Sequence, residues 1–358
     1  MRLTSFLLAL CIVSFSVKSV DVPTKGDLEE ALQAYRDSSM LQHRAGSFVH
    51  ARRAYIIARR LFADDASELA PIALTYARAA ASYQDRSALQ RYEEALNLYV
   101  EAYGAEDEIL IKPLIDAADE ALTREQPEMA YAWYNKARAL LSENSAGKDM
   151  ERARVNMGIA RLFLRSEQLN KAQEYAQFAS KLIQDHTEDK SGIPASLMYW
   201  LGEIQTENGN SDLALTSFSQ SLDLFQQQDP ASPRLVTLHS RLVELNHNAG
   251  NEAKAIEHCL IAQKLSYTHN DGPLWRPVYD PSGRVSRSNE SGLAKVRASF
   301  RKGPDCRLQD IEIHELVGIT EIEAQRLLSQ MYIAPLIVRG KVSPSELKTL
   351  STFAISPD

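Results

Sequence analysis

Few side chains in this sequence could do chemistry, and they are scattered. His239, His247 and His258 fall close together, and His247 and His258 are expected on opposite helices of one hairpin, where two imidazoles could face a metal ion. Histidines in such positions are far more often packing or surface groups, so no metal is expected. Cys259 and Cys306 lie in different segments, which argues against a bridge between them; Cys306 is expected as an exposed thiol in a polar turn. His314-Glu315 opens like the helical zinc motif of metalloproteases, but position 318 is Gly where the second His should stand. No Gly-x-x-x-x-Gly-Lys loop and no Gly-x-Ser-x-Gly elbow occurs. The sequence thus predicts no catalytic residue, no cofactor and no enzyme activity.

The elements that would carry a binding surface are far better defined. The chain has 358 residues, 44% hydrophobic and 24% charged, with 15 Gly and 14 Pro, which excludes collagen-like and largely disordered classes. Arg2 precedes an apolar stretch, Phe6 to Val17, and small residues follow before a cut between Ser19 and Val20. This is the layout of a secretory signal peptide over residues 1–19; an uncleaved membrane anchor is the alternative. Cys11 follows Leu8-Ala9-Leu10 as in a lipoprotein box, yet Leu10 stands where that box needs a small residue. Loss of residues 1–19 removes Arg2 and Lys18 and no acid, moving the net charge from -7 to -9. So acidic a chain is not expected to bind nucleic acid.

A triplet of a small residue, an aromatic or small residue four later and a small residue three later recurs along the chain. Its members are Ala51, Tyr55, Ala58; Ala88, Tyr92, Ala95; Ala130, Tyr134, Ala137; Ala172, Ala176, Ala179; Ala214, Phe218, Ser221; and Ala255, Cys259, Ala262. Successive first members are 37, 42, 42, 42 and 41 residues apart. Positions i, i+4 and i+7 share one helix face, so the small residues admit a neighbouring helix and the ring fills the space between them. A second amphipathic helix precedes each triplet, as in Leu110–Ala121, Arg154–Phe163 and Leu197–Thr206. Each repeat is then a helical hairpin that buries its apolar face only by stacking on others.

The fullest copy, Leu201-Gly202, Gly209, Ala214, Phe218 and Leu222, resembles the tetratricopeptide pattern, and Leu242, Gly250, Ala255 and Ala262 repeat it. The period exceeds the family's usual 34, which is similar to its long-helix variants. The resemblance covers about residues 25–270 and implies an α-solenoid over residues 20–270. In that family the first helix of each repeat lines an inner groove. Carried onto this chain, the groove would present Arg161, Arg165, Tyr199, Glu203, Glu207, Arg241, Glu244 and His247, a mixed-charge face suited to an extended polar peptide.

Residues 271–291 hold three Pro and two Gly and read as a linker. Beyond them Val296, Ala298 and Phe300 alternate with polar residues, a turn follows at Lys302-Gly303-Pro304-Asp305, and Leu308 to Leu316 alternates again: a hairpin. Glu321 to Met331 reads as a helix buried through Ile322, Ala324, Leu327 and Leu328, and an extended piece runs from about Leu347 to Ile355. With Pro277-Val278-Tyr279-Asp280-Pro281 at its entry and Tyr332, Pro335 and Gly340-Lys341-Val342 after the helix, this segment resembles the TonB carboxy-terminal domain. It departs in lacking a Ser-Ser-Gly after the second strand and a Trp near the helix end. The resemblance implies a small α+β domain over residues 292–358 that engages extended peptides by strand addition; a cap on the open end of the repeats is the other role such a domain would fill.

The sequence therefore predicts a mostly α protein, an α-solenoid followed by a small α+β domain. Its expected function is that of a periplasmic scaffold for protein or peptide partners. The alternative is an inner-membrane-anchored, TonB-like component of envelope transport that engages an outer-membrane receptor. Contact with a membrane is expected only where the amino-terminal segment is not cleaved.

Overall fold

The computed structural model describes residues 23–41, 43–141, 147–183, 192–230, 232, 234–268, 278, 294–333, 336–338, 341–343 and 349–355. The expected signal segment 1–19, most of the linker 271–291 and the residues Pro335 and Gly340 lie outside them. The chain divides into two compact units, residues 1–120 and 121–358.

The first unit holds α1 (Lys25–Met40), α2 (Arg44–Leu61), α3 (Ala66–Ser82), α4 (Ala88–Tyr103), a short 3-10 turn (Glu108–Leu110) and most of α5 (Ile111–Thr123). Thr24 closes a capping box with Asp27 at the start of α1, and the Asp65 carboxylate accepts the Ser67 and Glu68 N–H groups at the start of α3. The second unit continues with α6 (Pro127–Leu140), α7 (Asp149–Arg165), α8 (Leu169–Leu182), α9 (Ile193–Glu207), α10 (Ser211–Gln228), α11 (Arg234–Asn248) and α12 (Glu252–Thr268). The structure is thus the expected run of helical hairpins, an α-solenoid of tetratricopeptide type.

Every member of the six triplets is buried, each on the second helix of its hairpin. The close approach they permit is visible at two glycines of the first helices. A Cβ on Gly158 would lie 2.1 Å from Tyr134 Cζ, and one on Gly202 would lie 2.9 Å from the Phe218 ring. The ring of the triplet therefore sits in the space that the facing glycine leaves open.

The turns inside the hairpins repeat with the same period. Gln84, Glu125, Glu167, Gly209 and Gly250 all have positive φ, between 58° and 74°. In each, the next residue's N–H reaches back five residues, as in Gln168 N to Phe163 O at 2.9 Å and Asn210 N to Gln205 O at 2.8 Å. This left-handed helix ending suits Gly and strains a residue with a Cβ.

The carboxy-terminal segment is the expected strand, turn, strand, helix and strand. Strand β1 (Ala294–Lys302) lies between β2 (Leu308–Val317) and β5 (Thr349–Ile355), both antiparallel to it. Helix α13 (Glu321–Gln330) packs on this sheet, and a short hairpin, β3 (Leu336–Val338) and β4 (Lys341–Ser343), was not foreseen. Val296, Ala298 and Phe300 are buried with Ala324, Leu327, Leu328 and Met331 in one core. Ile322 corrects the expectation, being 86% exposed. Ala324, Leu327, Leu328 and Met331 already complete the i, i+3, i+4, i+7 stripe, and Ile322 falls on the opposite side of the helix.

The cysteines require a second correction. Cys259 and Cys306 form a disulfide, with Cα atoms 6.6 Å apart, and Cys306 is fully buried rather than an exposed thiol. The β1–β2 turn docks on α12, and Cys259, Ala255, Ala262, Val243, Cys306 and Tyr332 share one core. Arg307 reinforces the seam: its guanidinium lies 3.9 Å from the Tyr332 ring, donates to Gln330 O at 3.0 Å and pairs with Glu252 of α12. The segment thereby covers the apolar face that the last hairpin would otherwise expose.

Two outcomes follow. Glu167→Gly should stabilise the protein by up to about 1 kcal/mol and Gly209→Ala should destabilise it by about as much, read as opposite shifts of the urea midpoint. Reduction, or Cys306→Ser, should remove about 4 kcal/mol of stability for a bridge between residues 47 apart, and hydrogen exchange should rise first in β1 and β2.

Candidate functional site

The first helices α7, α9 and α11 bring equivalent positions side by side, because the repeat period of about 42 residues carries Arg161 to Glu203, Arg165 to Glu207 and Tyr199 to Arg241. Packing of α7 on α9 and of α9 on the hairpin of α11 turns these rows into cross-helix contacts. Arg161 lays its guanidinium 4.0 Å from the Trp200 ring of the next repeat. Arg241 makes a two-pronged bond to Glu203, Nε to Oε1 and Nη2 to Oε2, both at 2.8 Å, and donates to Glu244 at 3.0 Å along its own helix. Tyr199 stands edge-on to Phe218 and to Trp200. Burial, with the Glu203 carboxylate beside it, holds the Tyr199 phenol well above its ordinary range, so it stays a neutral hydroxyl.

The eight expected groove residues therefore separate into groups. Tyr199, Glu203, Arg241 and Glu244 form one network, and Arg161 belongs to its edge through Trp200. Arg165 turns away, donating to Leu122 O at 2.9 Å and pairing with Glu125 at 3.3 Å. Glu207 is exposed at the end of α9. His247 packs edge-on against Tyr332 at 5.4 Å, under the carboxy-terminal segment. Trp200 was missed by sequence reasoning, although its place next to Tyr199 on a first helix was a usable signal.

The histidine pair that meets is not the expected one. His239 and His258 approach with Nδ1 atoms 2.9 Å apart, whereas His247 belongs with Tyr332. Among the described residues no group of three or more His, Cys, Asp or Glu is placed to hold a metal. One imidazole of the pair must donate to the other through Nδ1, so the accepting ring is neutral at that nitrogen. Burial, then the neighbouring His258, pushes the His239 pKa down to about 4, and burial lowers that of His258 too.

This gives acidification a defined sign. Between an unfolded value near 6.5 and the folded value of about 4, the unfolded chain takes up a proton at His239 that the folded chain refuses. Stability should fall as pH drops through that window and level off below it, by on the order of 3 kcal/mol from this group. His239→Gln should flatten that part of the slope in urea unfolding measured from pH 7 to pH 4; an unchanged slope would locate the acid sensitivity elsewhere.

No family model matches the chain, and no curated protein does either. Solved structures that it resembles include BtubC from P. vanneervenii, 21% identical, with 75% of this chain and 97% of that one covered and a TM-score of 0.47. The Rap conjugation gene regulator of plasmid pLS20, solved in complex with the Phr* peptide, is 15% identical over 68% of this chain and 76% of its own, TM-score 0.49. PilF of Pseudomonas aeruginosa is 17% identical over 69% and 97%, TM-score 0.43. At these identities the likeness is one of fold alone.

Proposed function

We propose that the chain is an exported, periplasmic scaffold that binds a protein partner through an extended segment laid along the first-helix face of α7, α9 and α11. The observation that carries this reading is the network of Arg241, Glu203, Glu244 and Tyr199. Its charges are already paired across repeats, so the face is held in one arrangement before a partner arrives, which lowers the ordering cost of binding. Trp200 beside Tyr199 adds aromatic area of the kind that anchors peptides, and exposed Glu207 supplies charge at the rim. The Cys259–Cys306 disulfide supports export, because such bridges persist in oxidising compartments and are rare in reducing ones.

The second reading, a membrane-anchored, TonB-like component that engages an outer-membrane receptor, draws support from the carboxy-terminal sheet. Strand β2 stands at its edge, where an incoming strand would find backbone donors and acceptors.

A photo-crosslinking residue at Glu207, in the native cells, tests the first reading against the same residue at exposed Asp223 on the second helix α10. Capture of one partner from position 207 and not from 223, on a chain whose mass begins near Val20 in the soluble envelope fraction, is the expected result. Equal capture at both positions, or none at either, would refute the groove. A full-length chain in the membrane fraction would favour the anchored reading.

A further inference from the structure

Helix α2 breaks the charge pattern of the chain. The protein carries a net charge of -7, yet α2 (RAGSFVHARRAYIIARRL) holds five Arg and no acidic residue. Its buried side is Ala51, Ala54, Tyr55 and Ala58. Helical geometry places Val49 and Ile56 on the line opposite that side, with Arg52 and Arg59 along one flank and Arg53 and Arg60 along the other. All six are exposed, Val49 at 59% and Ile56 at 45%. The pattern repeats after seven residues, about 10 Å along the helix.

Local acids neutralise little of this face. Arg53 pairs with Glu30 of α1 at 3.2 Å, both side chains exposed, and Arg59 lies 5.9 Å from the Tyr55 ring. Among the described residues Arg52 and Arg60 have no ion-pair partner. A helix of another protein would need two apolar positions per seven residues to build a packed seam, and this face offers one. A surface of anionic headgroups makes no such demand. It needs cations on both flanks of an apolar line that enters the headgroup–acyl boundary.

We propose that the exposed face of α2 docks on an anionic lipid surface, with the Arg52/Arg59 and Arg53/Arg60 pairs on headgroup phosphates and Val49 and Ile56 entering between them. Arginine suits this task because its planar fork takes two phosphate oxygens at once.

The test is co-sedimentation of the full chain with vesicles of phosphatidylcholine alone and of phosphatidylcholine with phosphatidylglycerol. The wild-type chain should partition more strongly to the anionic vesicles, and the preference should fade as salt is raised. The fourfold variant Arg52→Gln, Arg53→Gln, Arg59→Gln, Arg60→Gln should lose at least about tenfold of that anionic partitioning while keeping the wild-type thermal midpoint, since all four positions are exposed. Ile56→Ser should weaken binding to both salt-free and salted anionic vesicles without changing the salt slope. Equal binding to neutral and anionic vesicles would overturn the proposal, as would a fourfold variant that binds like wild type. A wild-type chain that ignores vesicles but self-associates, and stops doing so in the fourfold variant, would make this face a contact between copies and overturn the lipid assignment.

Discussion

A helical hairpin has an apolar face on each helix and can cover only part of it with its own partner. In this chain that constraint is met by the triplet of each second helix, small residues flanking a ring in four of the six (Tyr55, Tyr92, Tyr134 and Phe218). The small members admit a neighbouring helix, and the ring closes the gap they leave. The contact tolerates almost no added volume, as Gly158 against Tyr134 and Gly202 against Phe218 demonstrate. A stack built this way always ends with an uncovered face. On α12 the residue in the ring position is Cys259, and no further helical hairpin follows among the described residues to cover it. Cys306 and Tyr332 come in from the carboxy-terminal segment to do so, and the disulfide ties them there. The capping role expected of this segment is thus a packing necessity of the last repeat.

How much of this could be read from the amino-acid sequence depended on whether the responsible signal is local. The triplets and the alternating strands announce themselves through period, and they were placed correctly. The disulfide did not, because it depends on a turn in one element docking on a helix in another, and no spacing rule encodes that encounter. The left-handed turns were legible at Gly209 and Gly250 but hidden at Gln84, Glu125 and Glu167, where the repeat forces a conformation that the residue type does not advertise. Ile322 failed for a different reason. Apolarity suggested burial, but three better-phased residues and Met331 had already claimed that face of α13. Of the candidate groove, residue types and positions were legible, whereas the Arg241–Glu203 bond required knowing how α9 and the hairpin of α11 sit in register.

That bond changes what the groove can do. Glu203 is nearly buried, with 11% of its side chain exposed, and Arg241 is 40% exposed. Removing Arg241 would strand the Glu203 carboxylate with little access to water, which costs far more than the pair contributes as a surface ion pair. The network therefore acts as a fixed wall rather than a set of free charges awaiting a ligand. Discrimination between partners falls to what lies around it: the Trp200 and Tyr199 rings, and the rim charges that remain exposed.

The paired face of α9 and α11 and the unpaired face of α2 then represent two solutions to the placement of charge on a repeat protein. Where adjacent first helices carry opposite charges about one helical turn out of step with the period, as Glu203 and Arg241 do, the packing of the helices brings them into contact, and the charges are spent internally on shape. Where one helix carries a single sign, as α2 does with five Arg and no acid, its neighbours neutralise it only in part, through Glu30 on Arg53, and the rest of the field persists into solvent. An acidic protein that keeps such a helix exposes an attraction for anions that the rest of its surface opposes. The same regular period thus builds a rigid wall in one place and, by omission of the complementary charge, a free electrostatic face in another.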